Sequence, residues 1–429
     1  MTKPFISIIV PIYNKSEYIK QCLDSLLRQS YPNIEILCVD DKSSDGSPLI
    51  VEKYKNNDNR IRFIQHKVNS GTMKARSTGV KAATGSYILF LDADDELEHD
   101  ACDILYNVVK KHKACMYAFG TKVINPDKKI AMKMQANFKT YDGYLYGKDI
   151  LNKSFIDRET TRYLWDKMYE SSLCKQVYEE ISDYHIDRKV NPVTEDIYTF
   201  MITAYFAKSF FGIQKTIHKY YYGRGVMGYE HLSLERFERY CMSAVDVENS
   251  SRMFSKFGVL DQYCDIIEAF RISSIKLCSS AWIYQIEERE KDEAFKIMMK
   301  YWSSSDLAKE FAIITSQLVN KKWETPFSLL PKGGRIVLYG AGEMGKDYYR
   351  QITDTGFCEI VLWVDNDYLS FNDTGLFIRS PDDINNEIFD YVLIAILDNR
   401  VASEIKQLLI NSYGVPENKL VWQNRFVLP

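Results

Sequence analysis

The chain has 429 residues, of which 46% are hydrophobic and 26% are charged, and its formal net charge is -3. This balance is typical of a soluble globular protein of two or three domains, and it gives no global reason to expect a nucleic acid as partner. The apolar run near the amino terminus is too short for a secretory signal, no window approaches ~20 apolar residues, and the nine cysteines include no C-x-x-C pair. We therefore expect a cytoplasmic protein with reduced thiols, whose membrane contact, if any, is peripheral and at the inner face.

The first hundred residues carry repeated signals for a strand, a loop and a helix. Strands are predicted at 5–11, 34–39 and 61–65, and each is followed by a loop and by apolar residues at helical spacing. Repeated units of this kind imply a parallel sheet with right-handed crossovers, which binds ligands beyond the carboxyl ends of its strands. Polar residues at 11–14, 40–41 and 92–95 fall at these ends.

The stretch Tyr87-Ile-Leu-Phe-Leu-Asp-Ala-Asp-Asp95 is the fourth predicted strand, and its apolar run indicates burial on both faces of the sheet. While the chain stays extended, Asp92 and Asp94 point to one side, with Cα atoms about 6–7 Å apart. Two oxygen ligands so placed suit Mg2+ or Mn2+ carrying a diphosphate. The alternative is a polar strand exit in which Asp95 or Glu96 begins a helix.

Four segments resemble, in order and spacing, the successive signatures of the family-2 inverting glycosyltransferases with the GT-A fold. They are Ser7–Asn14, Val39–Ser47, Asn69–Gly79 and Phe90–Asp95. The resemblance covers about the first half of the chain and implies an α/β nucleotide-diphospho-sugar transferase domain. It also implies an enzyme of the hexosyltransferase type that uses a nucleotide sugar, UDP-linked, to extend a surface polysaccharide or a lipid-linked glycan.

The resemblance assigns roles to individual residues. Those implied to bind the donor nucleotide are Pro11, Tyr13, Asn14, Asp40, Asp41, Arg76 and Asp92. Asp94 or Asp95 is implied to hold the Mn2+ or Mg2+ ion, and members of the family differ in which carboxylate does so. Each residue also has a structural interpretation: Tyr13 as a wedge under the sheet, Asp40 and Asp41 as turn formers, and Arg76 as a solvated helix residue.

The acceptor side is predicted farther along the chain. Tyr163–Tyr169 resembles the family's W-x-K element, in which Trp165 either stacks on a pyranose face or lies in the core. Glu195 and Asp196 open a predicted helix at 197–207, where acids favour the helix dipole. In the family such a pair supplies the catalytic base, which takes the proton of the acceptor hydroxyl, so the resemblance implies that Asp196 is this base and that Glu195 lies on the acceptor side.

Residues 217–228 resemble the strand and loop that close the family's catalytic domain. Arg224 or Lys219 would reach phosphate, and His218 is either a further metal ligand or a structural histidine. Residues 231–330 are predicted to form several amphipathic helices, which could cover the acceptor cleft, mediate dimerisation or contact a membrane. The predicted domains are therefore a transferase domain at 1–230, a helical region at 231–330 and a third domain at 331–429.

The third domain begins with a strand, a G-x-G-x-x-G turn at 340–345, a helix and a second strand that ends at Asp365. This small Rossmann-like pattern predicts a nucleotide loop formed by Gly340, Gly342, Gly345 and Asp365. Fewer than about 100 residues remain for it, so we favour a degenerate nucleotide-binding or oligomerisation module. Two other functions stay open: an NAD(P)-dependent sugar oxidoreductase that uses this domain, and a non-catalytic adaptor that binds nucleotide sugars or glycans.

Overall fold

The computed structural model describes residues 5–182, 192–224, 231–310, 323, 325–371 and 376–423. The chain divides into two compact units, Met1–Leu307 and Ala308–Pro429. The predicted boundary between a transferase domain and a helical region at 230 stays a prediction. Among the described residues, no helix is both long enough and apolar enough to cross a membrane.

The first unit is built on a mixed sheet of nine strands. They are β1 (Ile6–Ile12), β2 (Ile34–Asp40), β3 (Ile61–Gln65), β4 (Tyr87–Phe90), β5 (Glu96–Leu97), β6 (Met116–Ile124), β7 (Gly143–Tyr146), β8 (Lys167–Glu170) and β9 (Ser209–Tyr221). Their order in the sheet is β3-β2-β1-β4-β8-β6-β9-β5, and β7 pairs with β9. The strands β1 to β4 are parallel, and β8 runs antiparallel to both β4 and β6.

Twelve helices are described in this unit. They are α1 (Ile19–Leu27), α2 (Ser47–Asn57), α3 (Thr72–Ala82), α4 (Ala101–Lys111), α5 (Lys128–Gln135), α6 (Lys148–Leu151), α7 (Ser171–Glu180), α8 (Glu195–Phe206), α9 (Leu234–Cys241), α10 (Ser243–Lys256), α11 (Leu260–Gln285) and α12 (Lys291–Tyr301). The predicted helices after β1, β2 and β3 are therefore present as α1, α2 and α3. The amphipathic helices predicted after residue 231 are present as α9 to α12.

The strands β1 and β2 lie in the centre of the parallel part of the sheet, and all of their residues are buried. Such strands are mostly apolar because helices cover both faces of the sheet. The helix α3 lies so close to β1 that a Cβ atom at Gly79 would stand 2.4 Å from Cγ2 of Ile9. A glycine at this position therefore permits the close approach that fixes α3 against the sheet.

One buried charge ties the opposite end of these strands together. Glu35 of β2 accepts hydrogen bonds from the hydroxyl of Ser7 (2.6 Å), the amide of Thr84 (2.7 Å) and the amide of Gly85 (3.1 Å). Burial alone would raise the pKa of Glu35, but these bonds and the guanidinium of Arg62 lower it below its ordinary value. The carboxylate thus links β1, β2 and the entry to β4, and leaves the carboxyl ends of the strands for the site.

The second unit contains a smaller sheet of four parallel strands. In chain order its elements are β10 (Arg335–Tyr339), α13 (Glu343–Thr355), β11 (Glu359–Val364), β12 (Tyr391–Ile394), α14 (Asn399–Asn411) and β13 (Leu420–Val421). The strand order is β11-β10-β12-β13. The predicted α/β fold class, with many helices and a second small parallel sheet at the carboxyl end, is confirmed. The assignment of this second sheet as Rossmann-like stays a prediction.

Candidate active site

A turn follows β4 and carries the three carboxylates of the central stretch. The strand ends at Phe90, and the amide of Asp95 donates to the carbonyl of Asp92 at 3.0 Å. The chain therefore does not stay extended, so the condition under which Asp92 and Asp94 were expected to point to one side is not met. Their contacts differ instead: Asp92 meets α3, Asp94 meets the loop after β1, and Asp95 meets β9.

The guanidinium of Arg76 lies between a carboxylate that is predicted to bind the donor and one that is predicted to lie on the acceptor side. Its Nη2 atom donates to Oδ1 of Asp92 at 3.1 Å, and its Nη1 atom lies 3.5 Å from Oε1 of Glu195. Arg76 is only 5% exposed. Burial alone would lower its pKa, but the carboxylates of Asp92 and Glu195 outweigh this and raise it. The structure thus places Arg76 between carboxylates that lie about a hundred positions apart in the sequence.

Glu195 and Asp196 form the first turn of α8, as predicted. Burial disfavours the ionised carboxylate and raises the pKa of Glu195 to about 7 and that of Asp196 to about 6, although Arg76 acts in the opposite direction on both. The ionised form of Asp196 is favoured further by the amide of Ile197, which donates to its Oδ1 at 2.8 Å. An acid whose pKa lies near neutral pH is suited to general base catalysis.

Asp94 forms an ion pair that the sequence analysis did not anticipate. Nζ of Lys15 lies 2.5 Å from Oδ2 of Asp94 and also donates to the carbonyl of Arg224 at 3.0 Å. The side chains of Asp94 and Lys15 are 10% and 22% exposed, so the pair lies at the edge of the site. Lys15 directly follows Asn14, the last residue of the first motif. This adjacency was the signal in the sequence that Lys15 lies near the site.

Asp95 faces the interior of the unit. Its Oδ1 accepts a hydrogen bond from the amide of Tyr221 at 2.9 Å, and its Oδ2 lies 3.5 Å from Nε2 of His218. Burial raises the pKa of Asp95, and the neighbouring His218 partly offsets this effect. Within the described residues, no group of three histidine, cysteine or acidic side chains is arranged to hold a metal ion.

The two acids at the end of β2 have different partners. Asp41 accepts hydrogen bonds from the amides of Ser70 (2.9 Å) and Gly71 (2.6 Å), and it contacts Nδ1 of His66 at 2.8 Å. Oδ2 of Asp40 accepts hydrogen bonds from the amide of Ser43 and the side chain of Gln65. Its buried Oδ1 atom has no hydrogen-bond partner in the part of the chain that the structure describes. An unpaired buried acceptor is costly unless a ligand or water supplies a donor.

The end of β1 brings the first motif to the same edge of the sheet. Pro11 lies inside β1 and pairs in register with Val39. Tyr13 is 48% exposed, so its ring is free for a planar ligand to stack on, and it is not a wedge under the sheet. Asn14 has a positive φ of 51° and orders the loop after β2, because its Oδ1 accepts a hydrogen bond from the amide of Ser44 at 2.8 Å.

Trp165 belongs to a stack of aromatic rings and is 5% exposed. Tyr163 and Tyr220 both lie nearly parallel to the indole, with ring centroids 5.0 and 5.2 Å away, and the ring of Phe138 is 5.6 Å away. A sugar could stack on Trp165 only if one of these rings moved. The acceptor-side role of Trp165 therefore stays a prediction, and the contacts favour a structural one.

Lys167 is a buried charge within electrostatic reach of Asp196, and the sequence did not single it out. Its side chain is fully buried, its Nζ lies 2.6 Å from Oδ1 of Asp166, and it donates to the carbonyl of Tyr163 at 2.9 Å. Burial lowers the pKa of Lys167, and Asp166 opposes this effect. Lys167 was visible in the W-x-K element, but its burial depends on α8, whose Phe200 ring lies 4.7 Å from Nζ.

Two cavities of about 440 and 520 Å³ lie beside β6 and β9. Both are lined by Thr121, Gln135 and Thr216, and the larger also meets Phe138 and Glu159. None of the predicted site residues lines either cavity.

The glycine loop of the second unit connects β10 to α13. Gly340 has φ of +105°, and a Cβ atom at Gly345 would stand 2.0 Å from the carbonyl oxygen of Gly340, whereas nothing lies near Gly342. Asp365 accepts hydrogen bonds from the amides of Ala341 (2.6 Å) and Asp367 (2.8 Å). Because both oxygens of Asp365 already accept bonds within this loop, the geometry favours a structural role over ribose binding.

Residues 7–174 match the family model described as glycosyl transferase family 2, and residues 333–421 match one described as C2185-like, N-terminal. The resemblance of the four motifs to family-2 glycosyltransferases is thereby confirmed for a domain that covers the first part of the chain, whereas the inverting mechanism stays a prediction.

Several curated proteins are similar over this region. The putative glycosyltransferase EpsH of Bacillus subtilis (strain 168) is 34% identical over 178 residues, which are 40% of this chain and 49% of that protein. The poly(ribitol-phosphate) beta-glucosyltransferase of Bacillus spizizenii is 42% identical over 123 residues, which are 28% of this chain and 19% of that protein. The chain thus spans less than half the length of these relatives. A solved structure of S. aureus TarS 1-349 in complex with UDP-GlcNAc is 20% identical, with a TM-score of 0.46 over 72% of this chain and 92% of that one.

Proposed function

We propose that this chain, with a glycosyltransferase family-2 domain at residues 7–174, transfers a sugar from a UDP-linked donor to a hydroxyl of a glycan or lipid-linked acceptor, with inversion at the anomeric carbon. The observation that carries the proposal is the convergence of Asp92 and the Glu195–Asp196 pair on Arg76. A single-displacement transfer requires a donor site and a base within one sugar's reach of each other. The relatives named as glycosyltransferases, one of them for poly(ribitol-phosphate), support a role in cell-surface polysaccharide synthesis.

The donor nucleotide is proposed to bind beyond the ends of β1 and β2. Tyr13 offers an exposed ring for the base. The unpaired Oδ1 atom of Asp40 fits an N–H group of uracil or a ribose hydroxyl, whereas the oxygens of Asp41 already accept amide hydrogen bonds from the next loop. Of the two acids left open by the sequence, we therefore favour Asp40 as the contact to the nucleotide.

Asp196 is proposed as the catalytic base. It removes the proton of the acceptor hydroxyl as that oxygen bonds to the anomeric carbon, and the bond from this carbon to the diphosphate breaks in the same step. With a pKa of about 6, Asp196 is mostly ionised at neutral pH. The positive charge of Arg76 partly neutralises the negative charges of Glu195 and Asp92, so that three carboxylates can lie close together.

The residues present fit a divalent cation bound through few protein ligands. Asp94 lies at the edge of the site and already holds one cation, the ammonium of Lys15, whereas Asp95 is turned towards Tyr221 and His218. We therefore favour Asp94 over Asp95 as the residue that would hold Mn2+ or Mg2+. Such an ion would neutralise the departing diphosphate and take its other ligands from that diphosphate and water.

The first experiment is transfer by the purified chain, measured with a panel of nucleotide sugars after a thermal-shift screen with and without Mn2+. The variants Asp196→Asn and Asp196→Ala should lower the transfer rate by roughly 10²–10⁴-fold, the usual contribution of a general base, and should leave UDP binding intact. Asp103→Asn, which removes an acid from the first turn of α4, is the matched control. Transfer at the original rate by Asp196→Ala would remove the base assignment.

A further inference from the structure

Lys15 has two partners that belong to different parts of the first unit. Its Nζ atom lies 2.5 Å from Oδ2 of Asp94, in the turn after β4, and 3.0 Å from the carbonyl oxygen of Arg224, just beyond β9. The guanidinium of Arg224 is itself held over the rings of Tyr18 and Tyr221. The ammonium of Lys15 thus occupies the position of a cation bound to Asp94 and to a carbonyl oxygen.

The backbone of Lys15 is fixed while its side chain can turn. Its amide donates to the hydroxyl of Ser47 at 2.9 Å, and its carbonyl accepts hydrogen bonds from the amides of Tyr18 and Ile19. Four rotatable carbons separate this anchored backbone from the ammonium, which is a compact charge that pairs readily with phosphate. The ammonium can therefore leave Asp94 without any change in the loop that carries it.

We propose that Lys15 is a positioning residue that holds the cation position at Asp94 until a divalent ion arrives with the donor, and that its ammonium then moves to the diphosphate. This inference rests on the proposed function, and it adds an exchange of cations at Asp94. A divalent ion and an ammonium cannot both lie against the same carboxylate oxygen, because their charges repel at short distance. A divalent ion that binds Oδ2 of Asp94 without the donor displaces Lys15 from that oxygen, whereas the donor offers Lys15 a new anion.

It follows that the divalent ion and the nucleotide bind cooperatively. Without nucleotide, displaced Lys15 loses both Asp94 and the carbonyl of Arg224, so the metal affinity of the free chain is low. With UDP present, the diphosphate binds both the metal and Lys15. By linkage, the metal must strengthen the binding of UDP by the same factor as UDP strengthens the binding of the metal.

The test measures free Mn2+ by electron paramagnetic resonance during titration of the full chain, with and without UDP. Compared with the unmodified chain, Lys15→Met should bind Mn2+ at least 10-fold more tightly without nucleotide, and UDP should improve its Mn2+ affinity by a smaller factor. Lys15→Arg, which keeps a cation, should stay close to the unmodified chain. Lys20→Met removes an exposed lysine from α1 and controls for the change in net charge.

Mn2+ affinity without nucleotide that is equal or weaker in Lys15→Met overturns the inference, as does an equal gain in Lys20→Met. If Lys15→Met does not fold, as judged by its melting temperature, Lys15→Gln is titrated in its place with the same two expectations. Asp94→Asn should abolish the difference between variants, and a difference that persists without Asp94 also counts against the exchange. Sugar transfer by the unmodified chain distinguishes failure of the proposed function from failure of the cation exchange. If the chain transfers no sugar from any donor, the proposed function is refuted. If transfer depends on the metal but Lys15→Met binds Mn2+ like the unmodified chain, only the exchange is refuted.

Discussion

Replacing Arg76 by methionine removes a buried cation from between Asp92 and Glu195. Methionine has a similar length and no charge, so it preserves much of the packing in α3 while leaving the carboxylates uncompensated. Removing one partner of a buried ion pair usually destabilises a protein by about 3–5 kcal/mol. We expect Arg76→Met to lower the free energy of unfolding by this amount at pH 8.

The loss should depend on pH. Burial raises the pKa of Glu195 from 4.5 to about 7 even with Arg76 in place, and one pH unit corresponds to about 1.4 kcal/mol, so ionising this residue in the folded chain is already about 3 kcal/mol less favourable than in water. Without Arg76 the folded-state pKa values of Glu195 and Asp196 rise further. The folded variant then holds protons that the unfolded chain releases, and its stability falls as pH rises through this window. At pH 5 both acids of the folded variant are protonated. We therefore expect the loss in the free energy of unfolding at pH 5 to be less than half of the loss at pH 8.

Urea denaturation of the first unit, followed by circular dichroism at pH 5 and pH 8, measures this difference. Lys81→Met, an exposed lysine in the same helix, is the matched control and should change little at either pH. Adding Glu195→Gln to Arg76→Met should recover part of the stability at pH 8, since one of the uncompensated charges is then gone. An equal loss at both pH values would show that Arg76 acts through packing and would refute the electrostatic account.

Three further results are expected. The transfer rate should fall as pH drops below about 6, because Asp196 must be ionised to accept a proton, and a rate that rises in this range would exclude it as the base. Chelation by EDTA should suppress transfer and added Mn2+ should restore it, whereas full activity in EDTA would refute the metal role of Asp94. Gly345→Ala should destabilise the second unit by about 1–3 kcal/mol, because its Cβ would collide with the carbonyl oxygen of Gly340; Gly342→Ala, which meets nothing, is the control for thermal unfolding.

The parallel half of the first sheet was predictable because its signals are local. Each of β1, β2 and β3 is a short apolar run followed by a loop and a helix, and such repeated units predict parallel strands. The other half was not predictable in this way. The strands β8, β6 and β9 pair across sequence separations of about 50–100 residues and in both directions, so no local pattern specifies their order.

The sequence identified residues that the structure brings close together, but it did not predict their contacts. Resemblance to a family identified Arg76, Asp92 and Asp196, and the structure brings the three together. The pairing of Asp94 with Lys15 depends on the turn after β4, which ends the strand two residues before Asp92 and turns the acids towards different elements. A continuous apolar run does not show where a strand ends, and side-chain direction changes with each residue of a turn.

The electrostatics of the site follow from how closely α3 packs on the sheet. Gly79 lies three residues after Arg76, hence on the same face of the helix, and its missing side chain lets this face approach Ile9 of β1. At that distance Arg76 is buried and reaches Asp92 on one side and Glu195 on the other. Because both contacts come from one guanidinium, a change in the position of α3 would alter the surroundings of Asp92 and of Glu195 together. The close packing at Gly79 thereby helps to position the guanidinium that opposes the rise in the pKa of Asp196.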